Sequence, residues 1–144
     1  MPKTPERSAI VGWGSVTPIG SNSRNTWLAA LSGRSGIQKI NEPWISDLTT
    51  RIAGRVDETA FALLEPIMRR RADRCAQLAL LAARQAWGMA LQRAPGIDPD
   101  RVAVVIGTGI GGLSTMHQQH IQLSEGGASR VNPLTVPMLI PDAP

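Results

Sequence analysis

A run of apolar, mostly β-branched residues from 102 to 106 ends abruptly in four closely spaced glycines, and a helical pattern begins directly after them. Because the run does not alternate with polar residues, it predicts a strand that is covered on both faces, as in a largely parallel sheet. Glycine permits positive φ and leaves room for another group to approach the backbone. The sequence therefore predicts a buried strand that leads into a candidate site on a loop.

Gly107, Gly109 and Gly112 satisfy the pattern G-x-G-x-x-G, which in dinucleotide-binding proteins places a pyrophosphate at a helix N-terminus. That pattern also requires a second strand ending in an acidic residue about 20 residues later. Here a predicted helix and then Gly126-Gly127 follow instead. The loop therefore fits nucleotide binding less well than a tight strand-to-helix turn without a ligand.

The rest of the chain alternates between short extended stretches and helices, which is typical of layered α/β domains. Gly33 and the pair Gly126-Gly127 each end a predicted helix. The last stretch is rich in proline, which cannot donate to a central ladder, so we expect a surface loop there. The predicted strands are 8–12, 51–56 and 102–106, and the predicted helices are 24–32, 59–65, 72–93 and 113–124.

A second glycine cluster, from Gly12 to Gly20, also follows a predicted strand. Pro18 argues against a dinucleotide-binding turn, because it removes a donor from a first helical turn and disfavours α geometry at Thr17. Four further blocks follow this cluster in the chain. Together the blocks are Val11–Gly20 with Trp27, Leu31, Gly33 and Ser35–Ile37, then Arg51–Val56, Arg70–Arg74, Gly107–Gly112 and Val136–Pro141. Their order and spacing resemble the N-terminal part of β-ketoacyl-[acyl carrier protein] synthases, and the resemblance covers nearly the whole chain.

The resemblance implies a fold, and it implies how much of a full-length synthase this sequence covers. Members of this family have a thiolase-like five-layer α/β fold, and residues 1–144 would form one domain, the N-terminal part of its first half, with an incomplete sheet. The family's catalytic cysteine, two histidines and lysine lie beyond the end of this sequence. We therefore expect a portion of a longer synthase that is inactive alone, with uncovered apolar faces and strand edges that predict poor solubility or dependence on a partner.

The resemblance also implies a reaction. Such synthases transfer an acyl group to a cysteine, decarboxylate malonyl-carrier protein and join the two in a Claisen condensation that elongates fatty acid, mycolic-type or polyketide chains. No metal and no redox cofactor are implied, since the acyl groups are phosphopantetheine thioesters on acyl carrier protein. The alternative is a non-catalytic remnant or interaction fragment that keeps the carrier-docking and dimer surfaces.

Three sets of residues acquire roles from the resemblance alone. The acyl-pocket loop would be formed by Gly107, Thr108, Gly109, Ile110, Gly111 and Gly112, with Ile110 admitting or blocking the chain. The pocket would be completed across a homodimer by Leu134 and Thr135, where many members carry a large aromatic residue. These smaller side chains predict tolerance of longer acyl chains. An acidic carrier protein would dock on Arg70, Arg71 and Arg130.

Four arginines crowd the predicted start of the long helix, where cations oppose the helix macrodipole. They are Arg69, Arg70, Arg71 and Arg74. One interpretation is a solvated face with an ion pair to Glu65 or Asp73. The other is an anion-docking patch whose attraction weakens with salt. A nucleic-acid partner is not expected, because interleaved aromatic residues and a recognition motif are lacking.

The only cysteine, Cys75, lies in a helical run rich in Ala and Leu, where free cysteine behaves as a small hydrophobic residue. It does not match the family's nucleophile, and we expect a structural role. His117 and His120 would share a helix face, yet no third metal ligand lies at a suitable spacing, so we expect solvated side chains and no metal. Neither matches the family's catalytic histidines.

The composition sets the remaining bounds. The net charge is +4, from 15 basic and 11 acidic residues. A single cysteine excludes an internal disulfide framework and fits a reducing compartment. The first residues carry no apolar targeting segment, and no run approaches the roughly 18 apolar residues of a membrane span. We therefore expect a cytoplasmic location.

Overall fold

The computed structural model describes residues 8–140, which contain five α-helices and one two-stranded sheet. The helices are α1 Ser23–Leu31, α2 Pro66–Arg71, α3 Arg74–Arg93, α4 Leu113–Gly126 and α5 Thr135–Leu139, and the strands are β1 Ile37–Lys39 and β2 Ile52–Gly54. Short 3₁₀ turns occupy Pro43–Asp47, Glu58–Leu63, Pro99–Arg101 and Ala128–Arg130. The helices predicted at 24–32, 72–93 and 113–124 are confirmed as α1, α3 and α4.

Helices α1 and α3 each begin directly after a residue whose side chain accepts a hydrogen bond from a free backbone amide. Asn22 precedes α1 and accepts a hydrogen bond from the Asn25 amide at 2.8 Å, while Asp73 precedes α3 and accepts one from the Cys75 amide at 3.0 Å. Both are strongly preferred capping residues, because their side chains satisfy an amide that has no intrahelical partner. Gly33 follows α1 with φ of 71°, so α1 ends on the glycine that the sequence indicated.

The sheet is an antiparallel pair in which Ile37 lies opposite Gly54 and Lys39 opposite Ile52. The strand predicted at 51–56 is therefore confirmed as the shorter β2. Its partner β1 was not predicted. The short helical piece predicted near 59–65 is confirmed as a 3₁₀ helix, Glu58–Leu63.

The strand predictions at 8–12 and 102–106 are wrong, because neither segment pairs with another strand among residues 8–140. A strand requires a neighbour to bond its backbone groups, and such a neighbour is not encoded in a local run. Val104 and Val105 are 76% and 92% exposed instead of buried. The apolar faces expected to be uncovered are indeed exposed at this segment.

The core forms where the turn Glu58–Leu63 packs beneath α3. Its buried members are Ala60, Phe61, Leu64 and Leu81. Arg74 lies over the Phe61 ring at 4.0 Å and forms an ion pair with Glu58 at 2.8 Å, which closes one edge of this core.

The proline-rich end contains one short helix, α5, where a surface loop was expected. Pro137 is the third residue of α5, and the first turn of a helix has amides without intrahelical partners, so its missing N–H costs no bond. Pro141 and Pro144 lie outside the described residues. Within residues 8–140, no helix combines the length and the apolar character that a bilayer crossing requires.

Candidate functional site

The glycine loop from Gly107 to Gly112 is open at its beginning. Side chains added at Gly107 or Gly109 would meet no atom within 4 Å, and Ile110 is 69% exposed. The backbone at Gly107 and Gly109 is therefore not packed against another element of the fold. An apolar side chain on such a segment can move towards or away from an adjoining surface.

The end of the same loop is fixed. Gly111 has φ of 78°, a conformation that favours glycine, and its amide donates to the Thr108 hydroxyl at 3.2 Å. The Gly112 amide donates to the carbonyl of Leu139 in α5 at 3.2 Å. A Cβ atom at Gly112 would overlap the carbonyl oxygen of Met138, so only glycine permits this close approach to α5.

A buried carboxylate secures the helix that follows the loop. Asp73 is 5% exposed, and its Oδ2 accepts hydrogen bonds from the Thr115 amide at 3.0 Å and the Thr115 hydroxyl at 2.7 Å. Its Oδ1 accepts from the Cys75 amide. One side chain therefore caps α3 and also binds the first turn of α4, three residues after Gly112.

The protonation state of Asp73 matches this role. Burial raises the pKa of the carboxyl, but hydrogen bonds donated by Thr115 and Cys75 outweigh burial and hold the pKa below its usual value. Asp73 is therefore a carboxylate near neutral pH and can accept at both oxygens.

Cys75 lies beside this carboxylate and lines a cavity of about 260 Å³ between α2, α3 and α5, together with Arg71 and Met138. Burial raises the pKa of the Cys75 thiol, and the negative charge of Asp73 raises it further. The thiolate is the nucleophilic form, so these surroundings disfavour nucleophilic chemistry at this sulfur. The geometry supports the structural role predicted for Cys75.

The arginine segment differs from its predicted setting. A break at Ala72 and Asp73 separates α2 from α3, and three arginines occupy the last turn of α2, where cations complement the macrodipole. They are Arg69, Arg70 and Arg71, and all three are exposed. One interpretation gave this segment an ion pair to Glu65 or Asp73, but Glu65 pairs with Arg84 at 2.9 Å and Asp73 binds Thr115.

The other predicted site residues lie around α4 and α5. Arg130 is exposed and ends the turn after α4, at the opposite end of that helix from the glycine loop. Leu134 is the N-cap residue of α5 and Thr135 its first residue, and their amides are held by Asn132. The structure thus brings the glycine loop to the C-terminal end of α5, not to Leu134 and Thr135 at its beginning.

His117 and His120 are both exposed on α4. Among residues 8–140, no three His, Cys, Asp or Glu side chains lie close enough together to hold a metal ion.

The structure also contains an open cleft of about 1090 Å³ between α1, the β1–β2 pair and the turn Glu58–Leu63, which the sequence did not indicate.

The role of Asp73 was also missed. An aspartate directly before a helix is a recognisable cap, and that signal predicts its bond to Cys75. No local pattern predicts the bond to Thr115, which lies 42 residues further along the chain. Only the folded structure identifies the residue that connects the arginine segment with the helix of the glycine loop.

Comparison with known proteins decides the family. Residues 6–143 match the family model described as the N-terminal domain of beta-ketoacyl synthase. The chain belongs to the β-ketoacyl synthase family. It is 39% identical over 140 residues to 3-oxoacyl-[acyl-carrier-protein] synthase 2 of Staphylococcus aureus (strain N315), and 35% identical over 136 residues to the synthase of the same name from Synechocystis.

These alignments include nearly all of this β-ketoacyl synthase chain, 95% and 94%, but 33% of each relative. The chain therefore spans about a third of the length of the curated relatives that it matches.

Solved structures agree on the fold. A β-ketoacyl synthase from Burkholderia phymatum superposes with a TM-score of 0.74 at 21% identity, covering 96% of this chain and 35% of that one. The ketosynthase of a type II polyketide system, solved with its acyl-carrier protein, gives a TM-score of 0.68 at 18% identity and covers 93% of this chain and 36% of that one. The likeness confirms the predicted fold class, a partial thiolase-like α/β fold with an incomplete sheet.

Proposed function

We propose that the polypeptide carrying this sequence is a 3-oxoacyl-[acyl carrier protein] synthase, and that this region supplies part of its acyl pocket and its carrier-docking surface. The observation that carries the proposal is the glycine loop of a family member, open from Gly107 to Ile110 and anchored at Gly112. An apolar side chain on a segment that can shift suits an acyl chain that must enter and leave.

The reaction is a condensation of two thioesters. An acyl group passes from its carrier thiol to an enzyme thiol, carbon dioxide leaves the malonyl group, and the resulting carbanion attacks the acyl carbonyl and releases the enzyme thiol. Cys75 is not assigned as that thiol, because its raised pKa disfavours the thiolate. The acyl groups are presented as phosphopantetheine thioesters, with no metal or redox cofactor.

The arginine segment suits an acidic carrier protein. Arg70 and Arg71 are exposed, and no ion pair within residues 8–140 neutralises either of them. Arg130 would extend the docking surface. A homodimer would bring Leu134 and Thr135 to the pocket of the other copy. The ketosynthase of the polyketide system that superposes on this chain is itself solved with its acyl-carrier protein.

Docking can be tested by charge reversal in the polypeptide that carries this sequence. We expect Arg70→Glu with Arg71→Glu to weaken binding of acyl carrier protein about tenfold or more at low salt, because like charges would then face each other. Arg24→Glu with Arg34→Glu is the matched control, since both arginines are exposed and the change in net charge is the same. Equal loss in the two double variants would contradict docking at the arginine segment.

Catalysis can be tested by isolating that polypeptide from its source cells and supplying acyl- and malonyl-carrier protein. Formation of 3-oxoacyl-carrier protein with one carbon dioxide per condensation is the expected result. Carrier binding without condensation would instead identify a non-catalytic remnant that keeps its docking surface. Absence of both binding and condensation would reject the proposal.

A further inference from the structure

Asp73 is a buried residue that links the two regions to which the proposed function assigns roles. It lies two residues after Arg71, at the break between α2 and α3. Both of its oxygens accept hydrogen bonds, Oδ1 from the first turn of α3 and Oδ2 from the first turn of α4. The glycine loop enters α4 only three residues before Thr115.

We propose that Asp73 is a positioning residue, which holds the glycine loop in a fixed place relative to the arginine segment by binding Thr115. The inference rests on the proposed function for the roles of the glycine loop and the arginine segment, whereas the contact between Asp73 and Thr115 is independent of that function. Asp73 is buried, and it acts through Thr115 and the first turn of α4.

The chemistry of the contact explains why a carboxylate is required. Three donors converge on Asp73, namely the amides of Cys75 and Thr115 and the Thr115 hydroxyl. A carboxylate accepts at both oxygens, whereas an asparagine of the same shape must present an N–H₂ group to one of these donors. The two helix ends therefore cannot both be satisfied by the neutral analogue.

The start of α4 has a second attachment, through α5. The Gly112 amide donates to Leu139 of α5, and α5 shares the wall of the 260 Å³ cavity with Arg71 and Met68 of α2. The start of α4 is thus held from two sides, by Asp73 and by α5. A displacement of the arginine segment, as on docking of a partner, would be transmitted through Asp73 to the loop.

Site-resolved hydrogen exchange on the polypeptide that carries this sequence tests the contact. Thr115→Val removes the hydroxyl donor and keeps the shape, and we expect exchange of the amides at 112, 115 and 116 to accelerate roughly tenfold. Thr115→Ser restores the hydroxyl and should return the rates to those of the original protein. The amides of Cys75 and Gln77, which bond to Asp73 from α3, are the internal control.

Each outcome of that comparison decides the inference. Acceleration confined to the start of α4 and reversed by serine supports it. Unchanged rates, or equal acceleration at Gln77, would overturn it, because the bond would then be dispensable or merely a part of general stability. Asp73→Asn gives an independent check, since it should accelerate the same amides of α4 while α3 keeps a side chain that can cap it.

A kinetic measurement separates positioning from general structural support. We expect Thr115→Val to raise the KM for a long acyl-carrier thioester several-fold and to leave decarboxylation of malonyl-carrier protein within about twofold. Equal loss of both activities would contradict positioning of the acyl loop. If the original protein condensed nothing, the proposed function would fail, while the exchange comparison would still decide whether Asp73 fixes the loop.

Discussion

Gly12 and Gly14 lie against the backbone of α3, whereas Gly107 and Gly109 have no atom within 4 Å of the place where a Cβ would stand. Both pairs follow an apolar run, and both are spaced by a single residue. At Gly12 a side chain would overlap the carbonyl oxygen of Ala86 and lie 2.9 Å from the Ala90 amide. Gly12 and Gly14 are therefore required for close packing against α3, whereas Gly107 and Gly109 lie in a segment that is not packed against another element.

The difference shows that glycine spacing does not reveal why the glycines are needed. Glycine allows two backbones to approach closely, and it also allows a loop to change conformation. The second cluster becomes like the first only at its last member, Gly112, which lies against α5. Its attachment is reinforced by Asp73, so one cluster is fixed along its length and the other only at its end.

The largest effect is expected from breaking the packed cluster. Gly12→Ala would force the first cluster away from α3 and lower the free energy of unfolding by about 3 kcal/mol, measured by urea titration. Gly88→Ala is the control. Gly88 lies in α3, the helix that Gly12 packs against, but a side chain at Gly88 meets nothing within 4 Å, and alanine is the better helix former. It should raise stability by about 0.8 kcal/mol. A neutral Gly12→Ala would mean that the close approach is not needed.

A smaller effect is expected where Asp73 secures the second cluster. Because its folded-state pKa lies below the unfolded value of about 3.9, ionised Asp73 stabilises the fold above about pH 4. That contribution is lost as the pH falls through the folded-state pKa. At pH 7 we expect Asp73→Asn to lower the free energy of unfolding by about 2 kcal/mol, and we expect this gap to close in acid.

Urea titrations of both proteins between pH 7 and pH 2 measure this gap. Among residues 8–140, three other carboxylates have pKa values lowered by side-chain hydrogen bonds. They are present in both proteins, so the difference isolates Asp73. They are Glu42, Asp57 and Glu65. A gap that stayed constant with pH would show that the charge of Asp73 contributes nothing to anchoring α4.

The parts of the fold that the sequence predicted are those that local chemistry decides. The long helix and the glycine that ends α1 each depend on neighbours within a few residues. The segments at 8–12 and 102–106 were wrong because a strand depends on a partner distant in sequence. The arginines were assigned to the wrong helix end, since the break at Ala72 and Asp73 lies between two helical runs.

The candidate site was predicted to a similar degree. The glycine loop was located from its composition, and the structure adds which half is open and which half is anchored. The connection from Asp73 to Thr115 joins residues 42 apart and needed the folded chain. A buried contact of this kind depends on where two helix ends meet, which no periodic pattern specifies.

The smallest effect is expected in the open half of the glycine loop. Gly109→Ala should change the free energy of unfolding by less than about 0.5 kcal/mol, because the added methyl group meets no atom. Gly112→Ala, in the same loop, should cost about 1 kcal/mol, since the short helix α5 must shift to relieve the overlap with Met138. Urea titrations of the two variants side by side measure this contrast. Equal losses of stability in the two variants would show that both halves of the loop are packed. The second cluster would then be anchored along its whole length, like the first, and the two clusters would not differ.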